Sequence, residues 1–280
     1  MGLTSILFPG QGSQTPEMRE TVADMRPDLL TLASDVVGED PFARVDDGTR
    51  FAQPAIFCAS LAGWEALGAP AGEFMAGHSL GELAALVAAG RISERDGLEL
   101  VALRGKLMQE SGEAAGDGSM LALMGRGAAE HAGELAEANG LAVANDNSPQ
   151  QVVLSGDRAG FDGATAAAKE LGLRAMELPV TGAFHSPMMA GAVPEFTDAL
   201  HGVEISPARD GVTVLSAVTA APFEDVRLQL AQALTMPVRW RETLLALHDL
   251  GADRFVEVGP GRVLTGLVKR TLRDVEPASA

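Results

Sequence analysis

The chain has 280 residues, 46% of them hydrophobic, which supplies a sizeable core and excludes wholesale disorder. Its net charge is −17, from 21 Lys+Arg against 38 Asp+Glu, so nucleic acid is not its main partner and any acidic partner needs a local basic patch. A single cysteine, Cys58, excludes an internal disulfide framework or a cysteine-based zinc site, and no apolar run is long enough to span a bilayer.

The length suits one large domain with an insertion, or two domains. Leu3–Phe8 reads as a buried first strand, and with no basic n-region before it no secretory leader is expected. It leads into Pro9-Gly10-Gln11-Gly12-Ser13-Gln14, a loop at the carboxyl end of a strand, where α/β proteins place their sites. The loop is either an ordinary glycine turn or a frame that aims backbone N–H groups at an oxyanion. Residues 16–50 are polar and helix-like, with breaks at Pro27 and Pro41. Phe51-Ala52-Gln53-Pro54 opens an apolar helix over Ala55–Leu67 that packs Cys58; Gln53 either caps this helix, the favoured reading, or faces the site.

Glu73-Phe74-Met75-Ala76, then Gly77-His78-Ser79-Leu80-Gly81, then an Ala/Leu-rich run from Glu82 to Ala89 spell a strand, a G-x-S-x-G turn and a helix. That order is a nucleophile elbow. The glycines suit a sharp turn in which a β-carbon would strike neighbouring backbone, and the helix N-terminus faces the serine, where negative charge is favoured. The plainer alternative is a glycine-rich turn with an N-capping serine. The His78 side chain is expected to leave the turn on the side opposite Ser79. Ser93 reads as the N-cap of a helix over Gly97–Glu110. Arg104 falls in that helix beside core positions; pointing inward it needs an anion, and a structural salt bridge is the default.

Gly112–Gly118 marks a candidate boundary. Beyond it come a strand (Met120–Met124), a helix (Ala128–Ala138) and two strands (Leu141–Asn145, Gln151–Ser155) joined by the turn cluster Asp146-Asn147-Ser148-Pro149. A helix (Phe161–Leu171) and a strand (Arg174–Leu178) complete a β-α-β-β-α-β order, the split ferredoxin-like arrangement. A small inserted domain over residues 118–182 is therefore expected, within a large domain built from 1–117 and 183–280. His185 lies in the Gly/Pro-bounded segment where the chain returns, and a histidine at a domain cleft is a candidate base for Ser79. His78, His131, His201 and His248 compete with it. The remainder reads as a strand (Val212–Ser216), helices over Leu228–Leu234 and from Pro237 to Leu250, a strand (Arg254–Val258) ending in Gly259-Pro260-Gly261, and a closing helix (Val263–Leu272). Arg262, Lys269, Arg270 and Arg273 form either a solvated helix end or a contact for an anionic carrier or phosphates.

Seven stretches, taken in order, resemble the malonyl-CoA:acyl carrier protein transacylase family, which includes the acyltransferases of fatty-acid and polyketide synthesis. They are Phe8–Gln14, Gln53-Pro54-Ala55, Gly77–Glu82, Arg104–Gln109, Asn145 with Ser148-Pro149, Ala183–Met188 and Val256–Gly261, and they span nearly the whole chain. The resemblance implies an α/β hydrolase-like large domain with a parallel-sheet core, plus the ferredoxin-like insertion. It implies Ser79 as nucleophile, His185 as its base, and the backbone N–H groups of Gln11 and Leu80 as oxyanion hole. Arg104 would then grip the free carboxylate of a malonyl group, as its planar fork allows, and the salt-bridge default gives way. Gln53, Phe184 and Asn145 would line the substrate site, with Phe184 implying a tight pocket that prefers malonyl over branched extenders. The backbone carbonyl that orients the base would fall on Arg239, where the family commonly has Gln or Asn before Trp240. Two further departures are Thr15-Pro16-Glu17-Met18-Arg19 in place of a Gly-Met-Gly turn, and a short passage between Asp35 and Phe51.

By the same resemblance the substrates are malonyl-CoA and the phosphopantetheine arm of an acyl carrier protein. No metal, cofactor, nucleic acid or membrane is implied, and the expectation is a cytoplasmic monomer. Two rival readings are a serine hydrolase that clears acyl groups from carrier proteins, and a non-catalytic carrier-docking module. Arg104 counts against the first, because a buried guanidinium penalises acyl groups without a carboxylate. The intact serine, histidine and oxyanion loop count against the second.

Overall fold

The chain's strands divide into two sheets. The computed structural model describes residues 2–70, 72–272, 275 and 277–279. In chain order the strands are β1 (Leu3–Phe8), β2 (Phe74–Gly77), β3 (Gly118–Met124), β4 (Ala142–Ser148), β5 (Gln151–Asp157), β6 (Arg174–Glu177), β7 (Thr213–Ser216), β8 (Ala221–Pro222), β9 (Ala252–Glu257) and β10 (Ala278–Ser279). The larger sheet runs β10-β9-β1-β2-β7-β8, parallel throughout except for β8 at its edge. Ile6, Leu7 and Phe8 in its centre are fully buried, as expected of a parallel strand covered on both faces.

The helix Thr49–Ala66 lies against this sheet, and its residues from Phe51 to Trp64 are all buried. It starts earlier than Ala55 because Gly48, at φ 146°, turns the chain into it, and Pro54 is carried inside. Cys58 is fully buried there, beside the Leu29 carbonyl, and burial pushes its thiol pKa far up. The long helix Glu94–Ala115 begins at the Ser93 cap, whose hydroxyl accepts from the Asp96 N–H at 3.1 Å. It runs past Glu110 and through Gly112 before Gly116 ends it. A β-carbon on Gly112 would stand 2.5 Å from the Thr181 carbonyl oxygen, so the glycine reads as a boundary in sequence but serves a close crossing in space.

The smaller sheet runs β4-β5-β3-β6 with every neighbour antiparallel. This is the strand order of two interlocked β-α-β units. The helices Ala128–Ala138 and Phe161–Glu170 pack on it through their own apolar cluster, which includes Leu135, Phe161 and Ala164. One expectation is corrected here. Asp146-Asn147-Ser148 is strand rather than turn, and the hairpin bends at Pro149-Gln150 instead. The register of β4 against β5 shifts twice, between Val143 and Asn145 and between Asp146 and Ser148. Turn-forming residues remain in a strand because distant partners satisfy them: Arg241 binds Asp146, and His78 binds Asn147.

The chain closes with the helix Val263–Thr271, whose first N–H groups are held by the buried Glu257 carboxylate (Leu264 N at 2.9 Å, Thr265 N at 2.7 Å). Arg262, Lys269 and Arg270 are exposed and make no ion pair among the described residues; Arg273 lies outside them. Among the described residues no helix is long and apolar enough to cross a membrane.

Candidate active site

β1 and β2 run in parallel with Phe8 opposite Gly77, so the loop after one and the elbow after the other lie side by side. The His78 N–H donates to the Phe8 carbonyl at 2.9 Å. Ser79 follows at φ 53°, a left-handed conformation that costs a non-glycine residue about 1–3 kcal/mol. Both flanking glycines are enforced: a β-carbon on Gly77 would lie 1.9 Å from the Gly81 carbonyl carbon, and one on Gly81 would lie 2.2 Å from the Phe8 oxygen. The helix Gly81–Ala88 begins directly after Leu80. The Leu80 and Gln11 N–H groups have no acceptor among the described residues, and both residues border one cavity. The neighbouring Gly12 N–H is instead taken by Gln14 Oε1 at 2.8 Å.

His185 also sits in the left-handed region, at φ 56°. Its Nε2 is 2.9 Å from Ser79 Oγ and its Nδ1 is 2.9 Å from the Ala233 carbonyl oxygen. A carbonyl only accepts, so the ring proton belongs on Nδ1 and Nε2 presents its lone pair to the serine hydroxyl. Burial, with the Arg104 cation and His78 nearby, pushes the His185 pKa down to about 3. The imidazole is therefore neutral and able to take a proton. The carbonyl on Nδ1 is not that of Arg239, and the expectation for that residue is corrected. The Arg239 carbonyl is occupied at the start of the helix Trp240–Asp249, where Thr243 N and Oγ1 each donate to it at 2.9 Å. Ala233 directly follows the helix Val226–Gln232, where carbonyls lack helical partners and are free for a side chain.

Arg104 points inward and is 3% exposed. Its Nη2 donates to Ser79 Oγ at 3.1 Å and its Nη1 to Gln53 Oε1 at 2.8 Å. It makes no salt bridge among the described residues, so the structural default fails. Burial lowers its pKa to about 10, opposed by the charge of Glu82, and it stays cationic at neutral pH. Gln53 is an interior helix residue, not a cap. Its Nε2 donates to Thr49 Oγ1 at 2.9 Å, which leaves its oxygen for the arginine. Thr49 in turn donates to Gln11 Oε1 at 2.7 Å, so one run of hydrogen bonds ties the Gln11 loop to Arg104 and the nucleophile. Glu82, buried one turn after Ser79, accepts from the Ala217 N–H at 2.7 Å, and burial raises its pKa to about 7.

These groups enclose a cavity of about 240 Å³. Gln11, Gln53, Ser79, Leu80 and His185 line it from the large sheet's side, with Phe184 at the return of the chain. Met120, Asn145 and the segment Leu178–Val180 line it from the small sheet's side. The structure thus brings together every expected side chain of the site, Arg104 through its bond to Ser79. His78 is a partial correction: its Nε2 turns to Asn147 Oδ1 at 2.8 Å and its ring meets Trp240 edge-on, yet it borders the same cavity as Ser79. His131, His201 and His248 do not line it. Sequence reasoning missed Ala233, Thr49 and the charge of Glu82. Only Glu82 carried a signal, as a carboxylate inside an otherwise apolar helix. No cluster of His, Cys, Asp or Glu suited to a metal occurs among the described residues.

Comparison with known proteins agrees with this geometry. A family described as acyl transferase domain matches residues 23–280. The polyketide biosynthesis protein ThaF of Burkholderia thailandensis is 38% identical over all of this chain, which spans 25% of ThaF's length. The polyketide biosynthesis malonyl CoA-acyl carrier protein transacylase BaeC of Bacillus velezensis is 36% identical over 99% of this chain and 100% of its own. Among solved structures, a malonyl-transacylase in complex with a type II polyketide synthase acyl-carrier protein (PlMCAT:AntF) superposes with a TM-score of 0.88 at 35% identity, over 99% of this chain and 96% of that one. An elbow serine bonded to a histidine, and full-length likeness to transacylases, lead to one placement: the chain belongs to the acyl transferase domain family, among the malonyl CoA-acyl carrier protein transacylases.

Proposed function

We propose that the protein transfers a malonyl group from malonyl-CoA to the phosphopantetheine thiol of an acyl carrier protein, through a malonyl ester of Ser79. His185 Nε2 takes the hydroxyl proton as Ser79 Oγ attacks the thioester carbonyl. The oxyanion is held by the N–H groups of Gln11 and Leu80; losing one such donor typically costs about 10²–10³ in rate. The intermediate collapses, the CoA sulfur leaves, and the imidazolium returns its proton to that sulfur. In the second half His185 deprotonates the carrier thiol, which attacks the ester, and Ser79 leaves with the proton. None of these proton and acyl transfers calls for a metal or an organic cofactor.

The observation that carries the reading is Arg104. A malonyl ester of Ser79 puts a carboxylate one methylene beyond the carbonyl, and a buried guanidinium 3.1 Å from the nucleophile oxygen meets that reach. Gln53 accepts a hydrogen bond from the guanidinium, while Asn145 and Phe184 bound the space beside the acyl group. The same guanidinium disfavours the hydrolase alternative, since acyl chains without a carboxylate would leave it unpaired. The separate apolar cluster of residues 121–173 supports the division into an inserted unit over 118–182 and a large unit over 1–117 and 183–280. A cytoplasmic setting suits the lone, buried thiol.

Intact-mass spectrometry after mixing with malonyl-, methylmalonyl- or acetyl-CoA tests the proposal, with Ser79→Ala as control. The expected result is a malonyl adduct that a phosphopantetheinylated carrier protein discharges. An absent adduct, or one unaffected by Ser79→Ala, would overturn it.

A further inference from the structure

Residues Val238–Arg241 hold the two sheets together. The Val238 N–H donates to the Ala144 carbonyl at 2.8 Å and the Asp146 N–H to the Val238 carbonyl at 2.9 Å, a parallel bridge to β4. On its other side the Arg239 N–H donates to the Ala217 carbonyl at 2.7 Å, just beyond β7. Two adjacent residues therefore splice the small sheet to the large one.

Side chains reinforce the splice. Arg241 forks onto Asp146, with Nε at 2.9 Å from Oδ1 and Nη2 at 2.7 Å from Oδ2. The pair is partly shielded, and its geometry is the bidentate one that resists rotation. His78, next to the nucleophile, and Glu82, in the helix that follows the elbow, reach the same region. His78 binds Asn147 Oδ1 at 2.8 Å, and Glu82 accepts from the Ala217 N–H at 2.7 Å. The two register shifts in β4 fall on this stretch. Shifts of that kind re-aim side chains beside active sites. Here Asn145 lines the acyl cavity while Asn147 reaches the elbow.

We infer that Arg241, Asp146 and Asn147 are positioning residues for the acyl cavity. Through the Val238–Arg241 strap and through His78 they hold β4, and with it the Asn145 wall, at one distance from Ser79. None of the three touches the reacting atoms. The inference rests on the acyl-transfer reading above. The distance of that wall decides which acyl group fits beside the ester, and whether water reaches the ester before the carrier thiol. In the unwanted reaction water adds to the ester carbonyl and gives a proton to His185. Ser79 Oγ then leaves with that proton, and free malonate is released. A slackened strap admits both the branched acyl group and water.

The test compares Arg241→Gln, Asp146→Asn, their double variant, Asn147→Ala, and the exchange Asp146→Arg with Arg241→Asp. Intact mass follows three quantities: loading from malonyl-CoA, loss of the malonyl ester without carrier, and the ratio of malonyl to methylmalonyl loading. Thermal unfolding is recorded in parallel. All variants should load. Arg241→Gln should speed ester loss and reduce malonyl preference about tenfold each, a coupling of about 1.4 kcal/mol. Asp146→Asn should do the same, with the double variant no worse than either, and the exchange should recover part of the preference. Asn147→Ala should shift both readouts in the same direction. Variants that lose only thermal stability, with wild-type ester loss and acyl preference, would overturn the inference alone. Failure of the wild-type protein to load would remove the acyl-transfer reading and this inference together.

Discussion

Replacing Arg104 by Ala should convert a malonyl-selective protein into one that no longer distinguishes malonyl from acetyl thioesters. In the free protein the guanidinium is buried and, among the described residues, bonded only to the neutral Gln53 and Ser79 oxygens. A malonyl carboxylate arriving there forms a desolvated, charge-assisted pair. Deleting one partner of such a pair costs about 3–5 kcal/mol, because the other charge is left buried alone. At about 1.4 kcal/mol per decade this is roughly a 10²- to 4 × 10³-fold loss in kcat/KM for malonyl-CoA. Arg104 also donates to Ser79 Oγ, and losing that bond alters the nucleophile. That effect is common to all substrates and cancels in the ratio of malonyl to acetyl kcat/KM, which is the quantity to measure. Acetyl-CoA has no carboxylate to lose, so its rate should change only by that common effect. The assay is the initial rate of Ser79 esterification for each thioester, by intact mass. A malonyl-to-acetyl ratio unchanged in the variant would refute the assignment, whatever happened to the absolute rates.

Three further outcomes are expected. Ser79→Gly should be inactive yet more stable by about 0.5–1 kcal/mol in urea unfolding, since glycine accepts φ 53° without the strain a serine carries there. Gly81→Ala should lower stability by about 3 kcal/mol, because the added carbon would meet the Phe8 carbonyl at 2.2 Å in rigid backbone; thermal unfolding checks it. The pH dependence should show two opposing slopes. His185 is depressed to about 3 in the folded protein, so its contribution is whole above the usual histidine value of 6.5 and drains away as pH falls towards 3. Glu82 is raised from 4.5 to about 7, so its contribution is whole below 4.5 and is lost as pH rises through 7. Glu82→Gln should therefore leave stability falling more steeply with acid between pH 6.5 and 4.5, and flatten it near pH 7. Urea midpoints across that range for both proteins decide the matter, and identical curves would contradict it.

The parts legible in sequence were those where backbone geometry dictates residue type. The elbow could be read because Gly77 and Gly81 face backbone at distances no β-carbon tolerates. The small sheet could be read because its strands and helices alternate apolar residues at their own periods, down to Leu121, Leu123, Leu154 and Phe161 in one cluster. What escaped reading depended on direction and on partners. Periodicity placed Arg104 near the core but could not reveal that no carboxylate among the described residues bonds it, and Gln53 before a proline mimicked a cap while lying inside a longer helix. Asp146-Asn147-Ser148 has turn chemistry, and only the arrival of Arg241 and His78 makes it a strand. The carbonyl on His185 Nδ1 left no trace at all, since every residue carries one and helix ends alone decide which is free.

The burial of Cys58 has a practical corollary. The chain's sole sulfhydryl sits at 0% exposure, and burial holds it protonated, so it is inert to alkylating reagents in the native state. A Ser79→Cys variant would consequently carry a single addressable thiolate, in the very seat of the acyl ester. A maleimide- or bromoacetyl-tipped pantetheine arm would then label one position stoichiometrically, trapping the carrier complex for imaging without any prior removal of competing thiols.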